Sequence, residues 1–336
     1  MLTIVLEKPG KFIAEERPEP PAVPAHALVR VRRIGVCGTD LHAFAGNQPF
    51  FSYPRVLGHE LGVEIVDPGD EPRGLKAGDR CSVEPYLNCG KCGACRRGKP
   101  NCCAELKVLG VHVDGGMRPL LRVPIRKLHC SARLDFDQLA LVETLVIGAH
   151  AVERATLGPQ DFVLVIGAGP IGLSVIQFAR VWKARVAVMD VNESRLQFCK
   201  DRFGDVATLR AGPEAEAELR RIGGDLPTCV IDATGNQQSM MGSFSLAANG
   251  GRIVFVGLFQ GEVTFNDPNF HRRELTVLAS RNALPATFRD VVRLVEDGAV
   301  DTRPWITHRF KLAEIPEVFA REIAGNQAIL KAMIEA

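Results

Sequence analysis

The segment of residues 161–190 constrains the fold more than any other part of the chain. Its sequence, DFVLVIGAGPIGLSVIQFARVWKARVAVMD, indicates an apolar strand, a glycine turn, a helix and a second strand. The glycines of the turn have the spacing G-x-G-x-x-G, and the second strand ends at Asp190, 18 residues after Gly172. This order of elements is the context that a dinucleotide-binding βαβ unit requires. The segment therefore predicts a parallel sheet whose strands are joined by helices.

Each residue of the glycine turn has an expected place against a dinucleotide. The first glycine makes the tight bend, the second lets the backbone approach a pyrophosphate, and the third allows the helix to pack closely on the strand. Asp190 would accept hydrogen bonds from the adenosine ribose and repel a 2′-phosphate, and Arg195 is the nearest basic residue, so NAD is favoured over NADP. A glycine turn with only a structural role is the alternative. The predicted cofactor-binding residues are Gly167, Gly169, Pro170, Ile171, Gly172, Asp190 and Arg195.

The sequence pattern changes near residue 150. Residues 1–145 are predicted to form short strands and turns, because Gly and Pro interrupt their β-type apolar runs. After residue 160, strands and helices alternate as far as the strand LTVLASR, and a further helix follows in FRDVVRLVEDGA. These patterns predict an α/β chain of two domains, and the C-terminal segment is a candidate to complete the first.

A second informative segment is NCGKCGACRRGKPNCC at residues 88–103, the four-cysteine loop. Its cysteines could pair as disulfides, act as reactive thiols or bind a metal. Three thiolates at i, i+3 and i+6 on a glycine-bearing loop can converge on one ion, and a fourth closes a tetrahedral zinc site with no open position, so this zinc is structural. A cysteine-rich loop without a metal is the alternative. The predicted ligands are Cys89, Cys92, Cys95 and Cys103, and Cys102 is an extra cysteine.

Charge and hydropathy argue against several other classes of protein. The chain carries 41 basic and 39 acidic residues, so no dominant positive field attracts nucleic acid. The first residues lack a charged-then-apolar signal pattern, and no apolar run approaches the ~20 residues that span a membrane. A cytoplasmic location with reduced thiols is therefore expected, and a disulfide framework is not.

Three short segments hold candidate ligands for a second metal. Cys37 lies in GVCGTDLHAF, His59 and Glu60 lie in VLGHELG, and Glu143 lies in the apolar stretch ALVETLVIGAH. A cysteine, a histidine and a carboxylate from separate segments suit a catalytic zinc with an open position. Taken singly, a buried cysteine and a hydrogen-bonded histidine are the simpler interpretations. The zinc loop and the nucleotide motif in the same chain favour the catalytic one.

The order and spacing of these motifs resemble the zinc-containing medium-chain alcohol and polyol dehydrogenases over essentially the whole chain. The stretches that carry the resemblance are GVCGTDLH, GHE, the four-cysteine loop, VETLVIGAHA and GAGPIG. GKPNCCAELKVLGVHVDGGM and YPRVLGHE are similar to the branch of sorbitol, threonine and bacterial sugar-acid dehydrogenases, and to the last group in particular. The resemblance implies a GroES-like β-barrel catalytic domain at 1–147 and 284–336, and a Rossmann NAD-binding domain at 148–283.

The resemblance also implies cofactors, an oligomer and ligand roles. It implies NAD, two zinc ions per subunit, one catalytic and one structural, and a homodimer or homotetramer joined through the Rossmann domains. Cys37, His59 and Glu143 resemble the catalytic zinc ligands. Glu60 resembles an acidic group that lies behind the zinc or enters its coordination shell, so which carboxylate binds directly stays open.

Further residues around this site match the family by position. Asp40 resembles the partner that orients His59, as metal-bound histidines generally need. Thr39 and His42 resemble a proton relay to solvent. Cys102 matches no ligand.

The substrate is predicted from weaker features. Arg281 follows the last strand of the nucleotide domain and by resemblance lies near the substrate, where it could pair with a carboxylate, bond a polyol or contact the cofactor. The resemblance favours oxidation of a secondary hydroxyl of a hexonate with NAD. A neutral polyol of the sorbitol or galactitol type, or L-threonine, is the alternative substrate. A catalytically silent binding or structural relative is the alternative class, and the intact set Cys37, Thr39, His59 and Glu143 argues against it.

Overall fold

The computed structural model describes residues 1–49, 51–70 and 74–336 of the chain. These residues form two compact units: the first comprises Met1–Glu143 and Leu284–Ala336, and the second comprises Thr144–Ala283. The first unit is therefore built from both ends of the chain, and the second is inserted between them. The limits predicted for the catalytic and NAD-binding domains, 1–147 with 284–336 and 148–283, remain a prediction.

The elements are numbered in chain order. The strands are β1 (Leu2–Lys8), β2 (Lys11–Glu16), β3 (His26–Gly35), β4 (Glu60–Asp67), β5 (Arg80–Val83), β6 (Tyr86–Leu87), β7 (Lys107–Val108), β8 (Leu120–Pro124), β9 (Leu128–Cys130), β10 (Phe162–Ile166), β11 (Arg185–Asp190), β12 (Ala207–Arg210), β13 (Cys229–Asp232), β14 (Arg252–Phe255), β15 (Thr276–Ala279), β16 (Ile306–Lys311) and β17 (Lys331–Glu335). The α-helices are α1 (Gly38–Ala45), α2 (Gly93–Arg96), α3 (Phe136–Ala155), α4 (Pro170–Val181), α5 (Glu193–Arg202), α6 (Ala215–Gly223), α7 (Gln237–Leu246), α8 (Asp267–Arg272), α9 (Pro285–Glu296) and α10 (Ile315–Val318).

A large, mostly antiparallel sheet organises the first unit. Among the described residues its strand order is β16-β17-β3-β4-β5-β9, and β8 also pairs with β3. Strand β3 lies inside this sheet, and its alternate residues Ala27, Val29 and Val31 are buried in the core of the unit, whereas Leu28 and Arg30 between them are less buried. Strand β17, from the C-terminal end of the chain, pairs with β3, so the C-terminal segment completes this sheet.

Helices α1, α2 and α3 begin within residues 1–145, the region predicted to contain only short strands and turns. Helix α1 follows β3, and α3 begins at Phe136 and runs for 20 residues. The prediction failed at α3 because residues 139–146 are all buried and six of the eight are apolar, so no polar face alternates with an apolar one at the helical period. Among the helices that the structure describes, none is both long and apolar enough to cross a membrane.

The second unit contains the predicted parallel sheet. Its strand order is β12-β11-β10-β13-β14-β15, and every neighbouring pair is parallel. All five residues of β10 are buried, as expected for a strand that helices cover on both faces. The chain order reverses between β10 and β13, which is where open parallel sheets bind their ligands.

One disulfide departs from the expectation of reduced thiols. Cys81 in β5 and Cys130 in β9 are bonded, with a sequence separation of 49. The two residues lie directly opposite each other in the antiparallel register of these strands. The sequence carried no sign of this pair, because the spacing reflects strand pairing and not a local motif.

Asp161 joins three parts of the second unit just before β10. Its carboxylate accepts hydrogen bonds from the Gly158 N–H at 2.9 Å, the Thr228 hydroxyl at 2.7 Å and the Arg252 guanidinium at 2.8 Å. Burial on its own raises the pKa of Asp161, but these hydrogen bonds and the charge of Arg252 outweigh burial and hold the pKa below its usual range.

Replacing this carboxylate should destabilise the protein in a pH-dependent way. Asp161→Asn should cost about 1.5–3 kcal/mol at pH 7, the usual range for hydrogen bonds to a charged group. Because the folded-state pKa lies below the unfolded value of about 3.9, the stabilisation is present above roughly pH 4 and is lost as the pH falls through the folded pKa. Denaturant unfolding should therefore separate wild type from variant most at pH 7 and least near pH 3. An equal difference at both pH values would contradict this account.

Candidate active site

Cys37 lies at the start of α1, directly after the end of β3. Its backbone N–H donates to Oδ2 of Asp40 at 2.9 Å, so a carboxylate caps the first turn of the helix, where the helix dipole favours a negative charge. Asp40 is fully buried, and burial raises its pKa. This turn fixes a half-buried thiol beside a buried carboxyl group.

His59 is held close to the same turn. It follows Gly58, whose φ of +94° favours glycine and lets the chain bend into β4. Its Nδ1 lies 3.8 Å from Oδ1 of Asp40, within ion-pair range but beyond a hydrogen bond, and neither atom has a hydrogen-bond partner in the described structure. Burial lowers the pKa of His59, but the charges of Cys37 and Asp40 outweigh burial and hold that pKa well above its usual range.

The carboxylate of Glu60 is buried and forms an ion pair with the buried ammonium of Lys331. Both of its oxygens lie 2.8 Å from Nζ of Lys331, which also donates to the carbonyl of Val36 at 3.0 Å. Gly35 leaves room for this pair, because a Cβ at that position would lie 2.0 Å from Oε2 of Glu60. Burial lowers the pKa of Lys331, but the charges of Glu60 and Cys37 outweigh it and raise the pKa, so the ammonium stays charged.

The carboxylate of Glu143, in α3, accepts a hydrogen bond from a tyrosine hydroxyl. The hydroxyl of Tyr86 donates to its Oε1, and both side chains are buried. Burial raises the pKa of Glu143. Burial and the charge of Glu143 also raise the pKa of Tyr86 well above its usual range, so the phenol keeps its proton and remains the donor.

Three of the four predicted ligands of the catalytic metal meet in the first unit. The thiol of Cys37, a ring nitrogen of His59 and a carboxylate oxygen of Glu60 lie within 4.8 Å of one another. Glu143 lies outside this group, although its charge acts on His59. A thiolate, an imidazole and a carboxylate are ligands that Zn²⁺ prefers, and three of them leave a fourth position open. The residues present therefore fit a zinc ion of the catalytic type.

The four predicted structural ligands also meet. The sulfurs of Cys89, Cys92, Cys95 and Cys103 lie within 4.8 Å of one another, and Cys102 is exposed and outside the group. Backbone N–H donors, first that of Cys95, lower the pKa of Cys92 to about 6, while burial raises the pKa of Cys103 to about 11. Four converging thiols with N–H donors around them fit a closed zinc site.

The glycine turn of the second unit has the geometry of an anion cradle. Gly167 has a φ of +99°, and a Cβ at Gly172 would lie 1.7 Å from the carbonyl oxygen of Gly167, so only glycine lets α4 pack on this turn. At Gly169 the nearest atom to an added Cβ is Nη1 of Arg195, at 3.6 Å, so this side of the turn is open. Helix α4 then begins at Pro170 and presents its N-terminus to the turn, as a pyrophosphate site requires.

Asp190 is fixed beside this turn at the end of β11. Its Oδ2 accepts the N–H of Ala168 at 2.6 Å, and its Oδ1 accepts the N–H of Asn192 at 2.8 Å. Arg195 lies in the first turn of α5, where its N–H donates to Oδ1 of Asn192 at 3.3 Å. The predicted acidic and basic residues thus flank the open side of the glycine turn.

The positions of three other predicted residues do not test their proposed roles. Thr39 is half-buried on α1, and His42 is exposed on the same helix, with Nδ1 3.0 Å from Oδ1 of Asn47. Arg281 is exposed and follows β15 in the second unit. The relay role of Thr39 and His42 and the substrate role of Arg281 remain predictions.

Sequence analysis missed Lys331 and Tyr86, the partners of the two carboxylates. Lys331 lies in the buried strand KAMIE, 271 residues from Glu60. A lysine in a buried strand indicates a buried acidic partner, but the sequence does not say which one. Tyr86 is one of two tyrosines in the chain, and no motif distinguishes it.

Comparison with known proteins gives matches over most of the chain. Residues 23–132 match the family model of the alcohol dehydrogenase GroES-like domain, and residues 170–297 match that of the zinc-binding dehydrogenases. The L-galactonate-5-dehydrogenase of Escherichia coli K12 is 41% identical over 335 residues, which cover 99% of this chain and 98% of that protein.

Solved structures share the whole architecture. An alcohol dehydrogenase from Escherichia coli CFT073, complexed with NADH, superposes with a TM-score of 0.92 at 29% identity, covering 100% of this chain and 99% of that one. A zinc-binding dehydrogenase from Sinorhizobium meliloti 1021, bound to NADP, gives a TM-score of 0.90 at 29% identity with the same coverage. The predicted fold class, a GroES-like β-barrel domain with a Rossmann domain, is confirmed by these matches.

The pair of Lys331 and Glu60 gives a stability prediction. Lys331→Met leaves Glu60 buried without its cation, which should cost about 3–5 kcal/mol, the range for removing one member of a buried ion pair. The double variant Lys331→Met with Glu60→Gln should recover part of this loss, because the uncompensated charge is gone. Lys8→Met, at an exposed lysine of β1, is the matched control and should change the free energy of unfolding by less than about 0.5 kcal/mol. A loss at Lys331 no larger than at Lys8 would contradict the assignment.

Proposed function

Because the chain belongs to the family of zinc-binding alcohol dehydrogenases, we propose that it is an NAD-dependent zinc enzyme that oxidises a secondary hydroxyl of a six-carbon sugar acid. The observation that carries the proposal is the convergence of Cys37, His59 and Glu60 within 4.8 Å, in a chain whose second unit bears the G-x-G-x-x-G turn. The choice of substrate is supported by the 41% identity to a protein named L-galactonate-5-dehydrogenase.

We assign two zinc ions to each subunit. Cys37, His59 and Glu60 would hold the catalytic ion, with Glu143 beside it, and Cys89, Cys92, Cys95 and Cys103 would hold the structural ion. A zinc ion with an open position supplies Lewis acidity, which lowers the pKa of a hydroxyl at neutral pH.

The protein residues supply binding and proton handling. The overall reaction removes a hydride from the carbon and a proton from the hydroxyl, giving a ketone, NADH and a released proton. Thr39 is proposed to accept the hydroxyl proton, and the exposed His42, three positions on along the same helix, is proposed to pass it to solvent. Asp40 is proposed to orient His59, since its free Oδ1 faces Nδ1 of the ring at 3.8 Å.

The glycine turn and Asp190 support NAD as the cofactor. The three glycines leave the turn open toward the N-terminus of α4, which would receive the pyrophosphate. Asp190 is held by two backbone N–H groups, so its carboxylate cannot swing away from a 2′-phosphate. Relatives include structures with NADH and with NADP, so the choice depends on this chain's own residues.

An oligomer through the Rossmann domains is also part of the proposal. Strand β15 is at one edge of the parallel sheet, and Val277 on it is 39% exposed. An edge strand with unpaired backbone groups and an exposed apolar residue is a surface on which a second copy can add its own strand. A homodimer, or a homotetramer built from such dimers, would cover this edge.

Asp190 should determine the choice between cofactors. Asp190→Ser should raise KM for NAD and improve the use of NADP, because the repulsion of a 2′-phosphate is removed. The measurement is kcat/KM with each cofactor for wild type and variant. Asp201→Ser, at an exposed acidic residue on α5, is the matched control and should change neither value. Wild type that uses NADP as well as NAD would show that Asp190 does not exclude the phosphate.

Arg281 should separate an acidic from a neutral substrate. If Arg281 pairs with a substrate carboxylate, Arg281→Ala should lower kcat/KM for a hexonate by the equivalent of about 2–5 kcal/mol. Arg281→Lys should recover only part of this loss, since an ammonium cannot make the two-pronged contact of a guanidinium. The comparison is a hexonate against its matching alditol, in wild type and in both variants. Equal oxidation of both by wild type, with equal losses in the variant, would favour a polyol dehydrogenase. No NAD reduction with any hexonate, polyol or amino alcohol would favour a silent relative.

A further inference from the structure

The loop that carries the four cysteines has no core of its own. This four-cysteine loop, residues 88–103, lies in the connection 88–106 between β6 and β7. Among the strands that the structure describes, these two pair only with each other. Few of its side chains are buried, and the cysteine sulfurs form its centre. A long loop without an apolar core does not fix its own shape, so bound metal would set the positions of its two ends.

The strand that precedes the loop, β6, contacts the surroundings of the Cys37 site through Tyr86. Tyr86 is in β6, three residues before Cys89, and its hydroxyl donates to Glu143. The phenol ring packs edge-on against Phe288, with ring centroids 6.0 Å apart. A shift of β6 would therefore move or break the hydrogen bond to Glu143.

The chain that follows the loop contacts the same site through its backbone. Beyond β7, Gly110 packs so closely on Gly58 that an added Cβ would lie 2.9 Å from the Gly58 nitrogen. The N–H of Gly116 also donates to the Gly58 carbonyl at 2.9 Å. Gly58 directly precedes His59 and Glu60. The chain on both sides of the four-cysteine loop, Tyr86 before it and Gly110 with Gly116 after it, therefore contacts residues next to the Cys37 centre.

We propose that metal binding by the four-cysteine loop strengthens metal binding at the Cys37–His59–Glu60 centre, and that Tyr86 is the positioning residue that couples the two sites. With metal in the four-cysteine site, β6 and β7 are fixed, the Tyr86 hydroxyl holds Glu143 beside the centre, and the centre binds its metal more tightly. The inference rests on the proposed function, because it requires a metal at both sites. Coupling of this kind is reciprocal, so metal at either site should strengthen binding at the other.

The test measures the metal affinity of each site separately. Purified apoprotein is titrated with Co²⁺. The thiolate charge-transfer absorption of Co²⁺ is stronger at a four-thiolate site than at a one-thiolate site, so the two sites can be told apart. In parallel, the release of Zn²⁺ from the loaded protein to a chromogenic chelator is followed. Tyr86→Phe removes one hydroxyl and keeps the ring against Phe288. It should weaken metal binding at the Cys37 centre about 10-fold, the lower end of the range for loss of a partner outside the ligands, because Glu143 stands beside the three ligands; two metals per chain should still bind at saturation.

The second tyrosine provides the matched control. Tyr53 also donates its hydroxyl within the first unit, to the backbone carbonyl of Ala43. Tyr53→Phe should leave the affinity of both sites within about twofold of wild type. Cys95→Ser breaks the four-cysteine site directly, and it should weaken the Cys37 centre at least as much as Tyr86→Phe does.

The outcomes separate this inference from the proposed function. Two metals per chain in wild type, with unchanged or tighter binding at the Cys37 centre in Tyr86→Phe, would overturn the coupling and leave the proposed function standing. A loss in Tyr53→Phe equal to that in Tyr86→Phe would also overturn it, because the effect would then be general. Wild type that binds only the four-thiolate metal would overturn both.

Discussion

The first unit depends on neutralising a carboxylate that its fold buries. Glu60 is 1% exposed, and moving an unpaired carboxylate out of water costs several kcal/mol. Lys331 meets both of its oxygens from a strand 271 residues away, and that strand is available only because the C-terminal segment returns to the first sheet. The site therefore requires residues 284–336, because they contain the strand that carries Lys331. Without β17, the carboxylate of Glu60 would be buried without its cation.

Glycines in the strands make this burial possible. Gly35 lies opposite Glu60 in the register of β3 and β4, and any side chain there would occupy the place of the carboxylate. Two residues further on, a Cβ at Gly62 would lie 2.1 Å from the carbonyl oxygen of Phe136, so this glycine lets the start of α3 rest on β4. That approach brings Glu143, in the second turn of the same helix, toward the first carboxylate. Two close backbone contacts thus place two acidic side chains beside one thiol and one imidazole.

The parts that sequence analysis predicted well are those whose geometry is local. The glycine turn, Asp190 and the strands around them lie within 30 residues, and their spacing fixes their arrangement. The four cysteines converge for the same reason. The candidate ligands Cys37 and His59 were recognisable by residue type, but the partners of Glu60 and Glu143 were not, because the fold brings them from distant segments. The disulfide between Cys81 and Cys130 was missed on the same ground, and α3 was missed because its uniform burial hides its period.

This contrast bears on how an active member of such a family can be recognised. A search for ligands alone would accept any chain with Cys37, His59 and Glu60, including one in which Lys331 had become apolar. Such a chain would bury an uncompensated charge, and the cheapest response is to protonate Glu60 or to expose it. A protonated carboxylic acid is a poor zinc ligand, because metal binding requires the deprotonated group. The partners of the ligands therefore carry as much information about function as the ligands do, and only the fold reveals which residues they are.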